Sequence, residues 1–236
     1  MPPPIHICTF ASHPNYTGVA ALIIEEIKEC GYFNTLVCYD QSIIARKYPQ
    51  HAQFFIKQFE QNRFRGFGYW FWKPLVILER LSQIPEGDIL FYADSGCAIH
   101  TNETAQKHFQ EWVHDIETHP THRISFVLDH PEEKFTKGSL LAYMGRINDK
   151  TGQHMATIQG YKHTPENIAF LKRLIEIASM NDYHFITDEP SSVPNVEAFV
   201  DHRHDQSIYS LLIKEHGSAS RPDHYQDTNY PISKRI

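Results

Sequence analysis

Five consecutive apolar residues, Ile89-Leu-Phe-Tyr-Ala93, stand between a turn-forming Pro85-Glu-Gly-Asp88 and a polar Asp94-Ser-Gly96. A strand with one solvated face shows polar residues at every second position, so an unbroken apolar run points to a strand covered on both faces. Such a strand belongs in the middle of a sheet sandwiched between helices. The flanking sequence agrees: Ile5 to Phe10 is a short β-rich run, and Val19, Leu22, Ile23 and Ile27 then recur at helical spacing up to Gly31, which suits a helix C-terminus. Thr35 to Tyr39 supplies a second strand.

Helices are predicted from Gln50 to Asn62, from Pro74 to about Gln83, from Glu103 to Glu117, from Gly138 to Arg146, from Glu166 to Met180 and from Ser207 to Glu215. Arg123 to Asp129 reads as a strand and His154 to Gly160 as an extended run. Pro74 is expected as a first helical residue, which puts Lys73 on the extended or loop side of that junction. Strands alternating with helices indicate one α/β domain with a mixed, mostly parallel central sheet flanked by helices. The residues from about Gly217 onward are polar and weakly patterned and read as a tail.

With 236 residues, roughly 70 to 75% of the unfolded surface can be buried, so a single core covering residues 1–236 holds without staples. The chain carries 22 Lys+Arg against 28 Asp+Glu, a net charge of -6, and lacks the dense cationic surface that a nucleic-acid partner requires. Its four cysteines form no CxxC pair, which fits a reducing compartment better than a disulfide framework or zinc knuckle. No basic segment followed by an apolar stretch opens the sequence, and no run approaches the roughly 18 apolar residues of a membrane span. A cytoplasmic location is expected, with peripheral contact at a membrane surface compatible with it.

In open α/β sheets, ligands bind beyond the carboxyl ends of the strands, which is where the Ile89 to Ala93 run delivers Asp94. A carboxylate there can hold a divalent cation, or it can simply begin a turn. Gly96 would let a ligand approach closely. The consecutive aromatics Tyr69, Trp70, Phe71 and Trp72 are expected to be mostly core, with one exposed ring able to stack on a base or sugar and Lys73 able to meet a phosphate. His202, His204 and Asp205 admit a metal-site reading, while Arg203 could pair with a phosphate or with Asp201. His216 and His224 read as solvent-exposed.

Gly66-Phe-Gly-Tyr-Trp-Phe-Trp-Lys-Pro74, then Gly87-Asp-Ile-Leu-Phe-Tyr-Ala-Asp-Ser-Gly96, then His202-Arg-His-Asp-Gln-Ser207 occur in that order. Together they resemble nucleotide-sugar-dependent glycosyltransferases of the GT-A type, over roughly Ile5 to Gly217. The resemblance implies a Rossmann-like GT-A fold and transfer of a sugar from a nucleoside-diphosphate donor to a glycan, lipid-linked or other hydroxyl acceptor, as in polysaccharide biosynthesis. Asp94 matches the first acid of the DxD-like motif, with Ser95 and Gly96 beside it, and Lys73, Trp70 and Arg203 are implied as further donor contacts. Asp205 and Gln206 match the late acidic pair beside the anomeric carbon, a pairing shared with retaining enzymes. A Mn²⁺ or Mg²⁺ cofactor is implied on Asp94 and His224. The sequence departs from the pattern at Gly96, where the second acid of the motif belongs. Asp88 lies at the other end of the strand, about 20 Å away, and is poorly placed to replace it. Two other readings stand beside this one: a metal-dependent hydrolase built on His202, His204 and Asp205, and a non-catalytic nucleotide-sugar-binding module.

Overall fold

The computed structural model describes residues 2–12, 16–61 and 65–235. In chain order the elements are β1 (Ile5–Phe10), α1 (Thr17–Glu29), β2 (Thr35–Tyr39), α2 (Ser42–Lys47), α3 (Pro49–Glu60), α4 (Gly66–Tyr69), α5 (Trp72–Leu81), β3 (Ile89–Ala93), β4 (Cys97–Ile99) and α6 (Glu103–Thr118). They continue with β5 (Arg123–Pro131), α7 (Glu132–Phe135), α8 (Gly138–Tyr143), β6 (Gly152–His154), β7 (Ile158–Lys162), α9 (Pro165–Tyr183), α10 (Asp205–His216), β8 (Ala219–Pro222) and β9 (Ile232–Lys234).

Seven strands form the main sheet, in the order β2-β1-β3-β7-β5-β6 with β8 also on β5. β2, β1, β3, β5 and β8 point one way and β7 and β6 the other, so the sheet is mixed and mostly parallel. β3 lies between β1 and β7, and all five of its residues are fully buried. Successive side chains of a strand point to opposite faces. Leu90 and Tyr92 therefore join the apolar layer containing α5, α9 and α10, whereas Ile89, Phe91 and Ala93 join the layer containing α1 and α6. Two cores drawing on one strand explain why it has no polar alternation.

Several boundaries differ from those predicted. α5 begins at Trp72, two residues before Pro74, and Lys73 lies inside its first turn. Proline is tolerated there because first-turn N–H groups have no intrahelical acceptor anyway. The run from His154 to Gly160 is divided, its first residue ending β6 and its last part belonging to β7. α10 starts at Asp205 rather than Ser207. The predicted end of α3, Asn62, lies outside the described residues. The residues after Gly217 are not a tail: β8 pairs with β5, β9 pairs with β4, and Ile232 is fully buried. Strands of three or four residues are too short to show a periodicity. Among the described residues, no helix is long and apolar enough to cross a membrane.

Candidate active site

β3 ends at Ala93 and hands the chain to Asp94, whose N–H donates to the Thr157 carbonyl at 3.0 Å. Two residues back on the same face, the Tyr92 hydroxyl donates to Asp94 Oδ1 at 2.5 Å. The following loop is braced from below by the pairing of β4 with β9. There the Arg235 N–H donates to the Gly96 carbonyl at 3.2 Å, its Nη2 donates to the Cys97 carbonyl at 2.9 Å, and its guanidinium forms a two-pronged ion pair with Glu26 at 2.8 Å.

α5 brings Lys73 up beneath Asp94. Its Nζ lies 3.2 Å from Asp94 Oδ1 and 3.1 Å from Asp205 Oδ2, with only 4% of the side chain exposed. Burial works against the ammonium, but the Asp205 and Asp94 carboxylates outweigh it and hold the lysine pKa above its ordinary value. One cation facing two acids leaves the deeper acid short of compensation. Burial, reinforced by Asp94 and opposed by Lys73, pushes Asp205 up to about 6. Asp205 is the first residue of α10, where the positive end of the helix dipole favours its anion.

Gln206 follows on the same turn and is fixed by a buried relay. Its Nε2 donates to Gln153 Oε1 at 2.9 Å, and Gln153 Nε2 donates to Glu132 Oε1 at 2.9 Å. Glu132, fully buried, also accepts from Thr136 Oγ1 at 2.6 Å and Ser210 Oγ at 2.5 Å and pairs with Lys214 at 2.8 Å. None of Glu132, Gln153, Ser210 or Lys214 stood out in the sequence, because they are ordinary residues spread over α7, β6 and α10.

The aromatic block adopts an unusual turn. Gly66, Phe67, Gly68, Tyr69 and Trp70 have φ of 55, 50, 83, 56 and 58°, and the Tyr69 and Trp70 N–H groups donate to the carbonyls of Arg65 and Gly66. This is one turn of left-handed helix, in which each of the three residues bearing a Cβ costs roughly 1–2 kcal/mol. Burying Tyr69, Phe71 and Trp72, each worth about 1.5–3 kcal/mol, is enough to offset that strain. Trp70 is the member of the four-ring block that stays partly exposed, and its indole stacks on His204 at 5.7 Å. A Cβ on Gly66 would sit inside that indole. Gly66→Ala is therefore expected to destabilise the protein by about 1–3 kcal/mol and to expel the ring, read as a red shift of tryptophan emission. An unchanged emission maximum would contradict this placement.

Two cavities meet at Asp94 and Trp70. The first, about 210 Å³, is walled by Phe10, Phe67, Trp72 and Tyr225, with Ser12, Ser95 and Gly96 at its rim. The second, about 180 Å³, is polar and lined by Arg65, Lys73, Arg203, Asp205 and Gln206. Neither alone reaches the roughly 300 Å³ of an ordinary ligand site, but the joined pair does. Asp94, Ser95, Gly96, Lys73, Trp70, Arg203, Asp205 and Gln206 thus all line one or both of two cavities that share Asp94 and Trp70 as walls. Phe10 and Ser12 escaped the sequence reading, although the last residue of β1 and the second beyond it mark the carboxyl end of a parallel strand.

The other candidates lie elsewhere. His202 Nε2 and His204 Nδ1 donate to the carbonyls of Phe185 and Ile186 at 2.9 and 2.8 Å. Burial holds the pKa of His202 well below its ordinary value and pushes His204 down to about 4. Each thus anchors to the backbone through one ring nitrogen, and His202 Nδ1 also faces the Lys137 N–H at 3.4 Å. Asp201 pairs with Arg65 at 3.0 Å rather than with Arg203, whose guanidinium lies over the Phe135 ring. His224 is buried, not solvent-exposed, with its ring among Trp112, Phe126 and Tyr230. Asp88, at the opposite end of β3, is bonded to His6 Nε2 at 2.9 Å. Among the described residues, no three His, Cys, Asp or Glu side chains cluster as a metal site would require.

No family model and no curated protein matches the sequence. The fold, however, is similar to the crystal structure of a glycosyltransferase involved in glycosylation of the major capsid of PBCV-1. That match has a TM-score of 0.53 and 10% identity, covering 98% of this chain and 93% of the other. It is also similar to the galactosyltransferase LgtC in complex with donor and acceptor sugar analogs, with a TM-score of 0.48 and 12% identity over 98% of this chain and 87% of the other. Mouse xyloside xylosyltransferase 1 follows at a TM-score of 0.42 and 8% identity, covering 93% and 84%. The architecture is that of the GT-A glycosyltransferase fold, and the first of these matches carries that assignment.

Proposed function

We propose that the protein is a glycosyltransferase taking a sugar from a nucleoside-diphosphate donor and passing it to a hydroxyl of a carbohydrate or lipid-linked acceptor. One observation carries the reading: Lys73, Asp94 and Asp205 converge at the carboxyl end of β3, where an aromatic cavity joins a polar one. The aromatic compartment suits a nucleobase, because ring faces stack on any base and Trp70 stands at its inner edge. The polar compartment suits the sugar and the departing diphosphate. As the bond from the anomeric carbon to the phosphate oxygen breaks, negative charge builds on the leaving group and positive charge on the sugar. Arg65, Lys73 and Arg203 line the cleft to meet the first. Asp205 is the carboxylate for the second, with Gln206 held rigidly beside it. The Asp205-Gln206 pair favours retention of configuration, which NMR of the product's anomeric proton reads directly.

The test is a thermal-shift screen of UDP-, GDP-, CMP- and dTDP-sugars, coupled to detection of released nucleotide. One nucleotide class should stabilise the protein, and Trp70→Ala should weaken its binding roughly tenfold or more through the lost stacking. Stabilisation by none would end the proposal. Binding without release of a nucleoside diphosphate to any acceptor would leave a sugar-nucleotide-binding module instead.

A further inference from the structure

The residues at Asp94 do not fit a divalent cation. Asp94 Oδ1 accepts from the Tyr92 hydroxyl, and the Lys73 ammonium stands 3.2 and 3.5 Å from its two oxygens. The same ammonium lies 3.1 Å from Asp205 Oδ2. An ion bridging these acids needs oxygens at about 2.0–2.2 Å and would have to displace the lysine. Displacing it would break both ion pairs of a buried ammonium, while its backbone is held by the N–H bond to the Trp70 carbonyl at 2.9 Å and by Pro74 at the next position. The motif position two residues on is Gly96, which brings no acid, and the His224 ring is enclosed by aromatic side chains.

We infer that Lys73 is the built-in cation of this cleft, standing where a divalent metal would otherwise bridge Asp94 and Asp205, so that the nucleoside-diphosphate donor binds without a metal ion. The donor half of this inference rests on the proposed transferase function; the metal half does not. A lysine carries one charge against two acids, so the rest of the compensation for a diphosphate falls to Arg203 in the same cavity and to Arg65, which would have to turn from Asp188 and Asp201 to supply it. The arrangement is fixed by folding rather than by cation supply.

Two measurements decide it, neither of them activity. In the first, metal-stripped full-length protein is titrated with Mn²⁺ and free ion is followed by electron paramagnetic resonance. Wild type should take up none at millimolar Mn²⁺ and keep its unfolding temperature. Lys73→Ala, which leaves two acids facing each other, should acquire a Mn²⁺ site and gain several degrees from the ion. Uptake of about one Mn²⁺ per wild-type chain, lost in Asp94→Asn, would overturn the inference even if Lys73→Ala fails to fold. In the second, the affinities of UDP, GDP, CDP and dTDP are compared in EDTA and in Mn²⁺. The best ligand should differ by less than about threefold between them, and a larger gain with Mn²⁺ counts against the proposal. Binding of none in either condition removes the transferase reading and the donor half with it, while the metal titration still decides the rest.

Discussion

Asp205→Asn is expected to lose sugar transfer by at least about a hundredfold, the usual scale for removing one charge aimed at a transition state. The same variant should be more stable than the wild type at neutral pH. The sign follows from the upward shift of this buried acid to about 6. In the unfolded chain it ionises near the ordinary carboxylate value, so between about pH 4 and 6 the folded state holds more protons. Stability from this group then falls as pH rises, reaching a cost of ~3 kcal/mol above pH 6. An asparagine has no such cost, although Lys73 is left with Asp94 as its one acidic neighbour in the cleft. A net gain of about 1–3 kcal/mol is expected at pH 7, vanishing below pH 4. Urea unfolding of both proteins at pH 4 and pH 7 measures it. A variant destabilised equally at both values would show that folding does not raise the pKa of this acid and that the side chain contributes through packing.

Glu132→Ala should have the largest effect on stability, a loss of about 3–5 kcal/mol, enough to lower the unfolding temperature by roughly 10 °C. Glu132 is fully buried and gathers Thr136, Gln153, Ser210 and Lys214 around one carboxylate. Truncation orphans these donors in the interior and leaves Lys214 with Asp149 alone among its acidic neighbours. Because Gln153 passes the orientation on to Gln206, Glu132→Gln separates the two roles. It keeps the shape but removes the charge, and it should lower kcat more than it raises KM. A loss below about 1 kcal/mol in Glu132→Ala would mean that the neighbouring donors find other acceptors.

The sheet was legible where one strand had to satisfy two cores. The unbroken run of β3, and the acid delivered at its end, followed from the exclusion of polar groups on both faces. The aromatic block was legible as core with one exposed ring, and Trp70 is that ring. Its left-handed turn was not, because Gly66 and Gly68 permit positive φ without requiring it, and Phe67, Tyr69 and Trp70 disfavour it. Only tertiary burial decides the hand. His202 and His204 looked like ligands because sequence shows side-chain chemistry and not the carbonyls of Phe185 and Ile186 that each take one of their ring nitrogens, nor the lack of a third ligand beside them among the described residues. His224 was misplaced for the same reason: a polar neighbourhood in sequence became an aromatic one in space. The Glu132 relay joins α7, β6 and α10, which are far apart in sequence, and nothing local marks it.

The brace of Arg235 on Glu26, Gly96 and Cys97 also sets an order of events during synthesis. At about 5–20 residues per second, the ribosome adds residue 235 roughly 7–28 s after Asp94. Until then the nascent protein can assemble β1, β2 and β3 but lacks the clamp that holds the loop beyond the central strand. Every copy therefore passes through an interval in which the loop after β3 is unfastened, and a chain truncated short of β9 has strands of the sheet but no clamp on that loop.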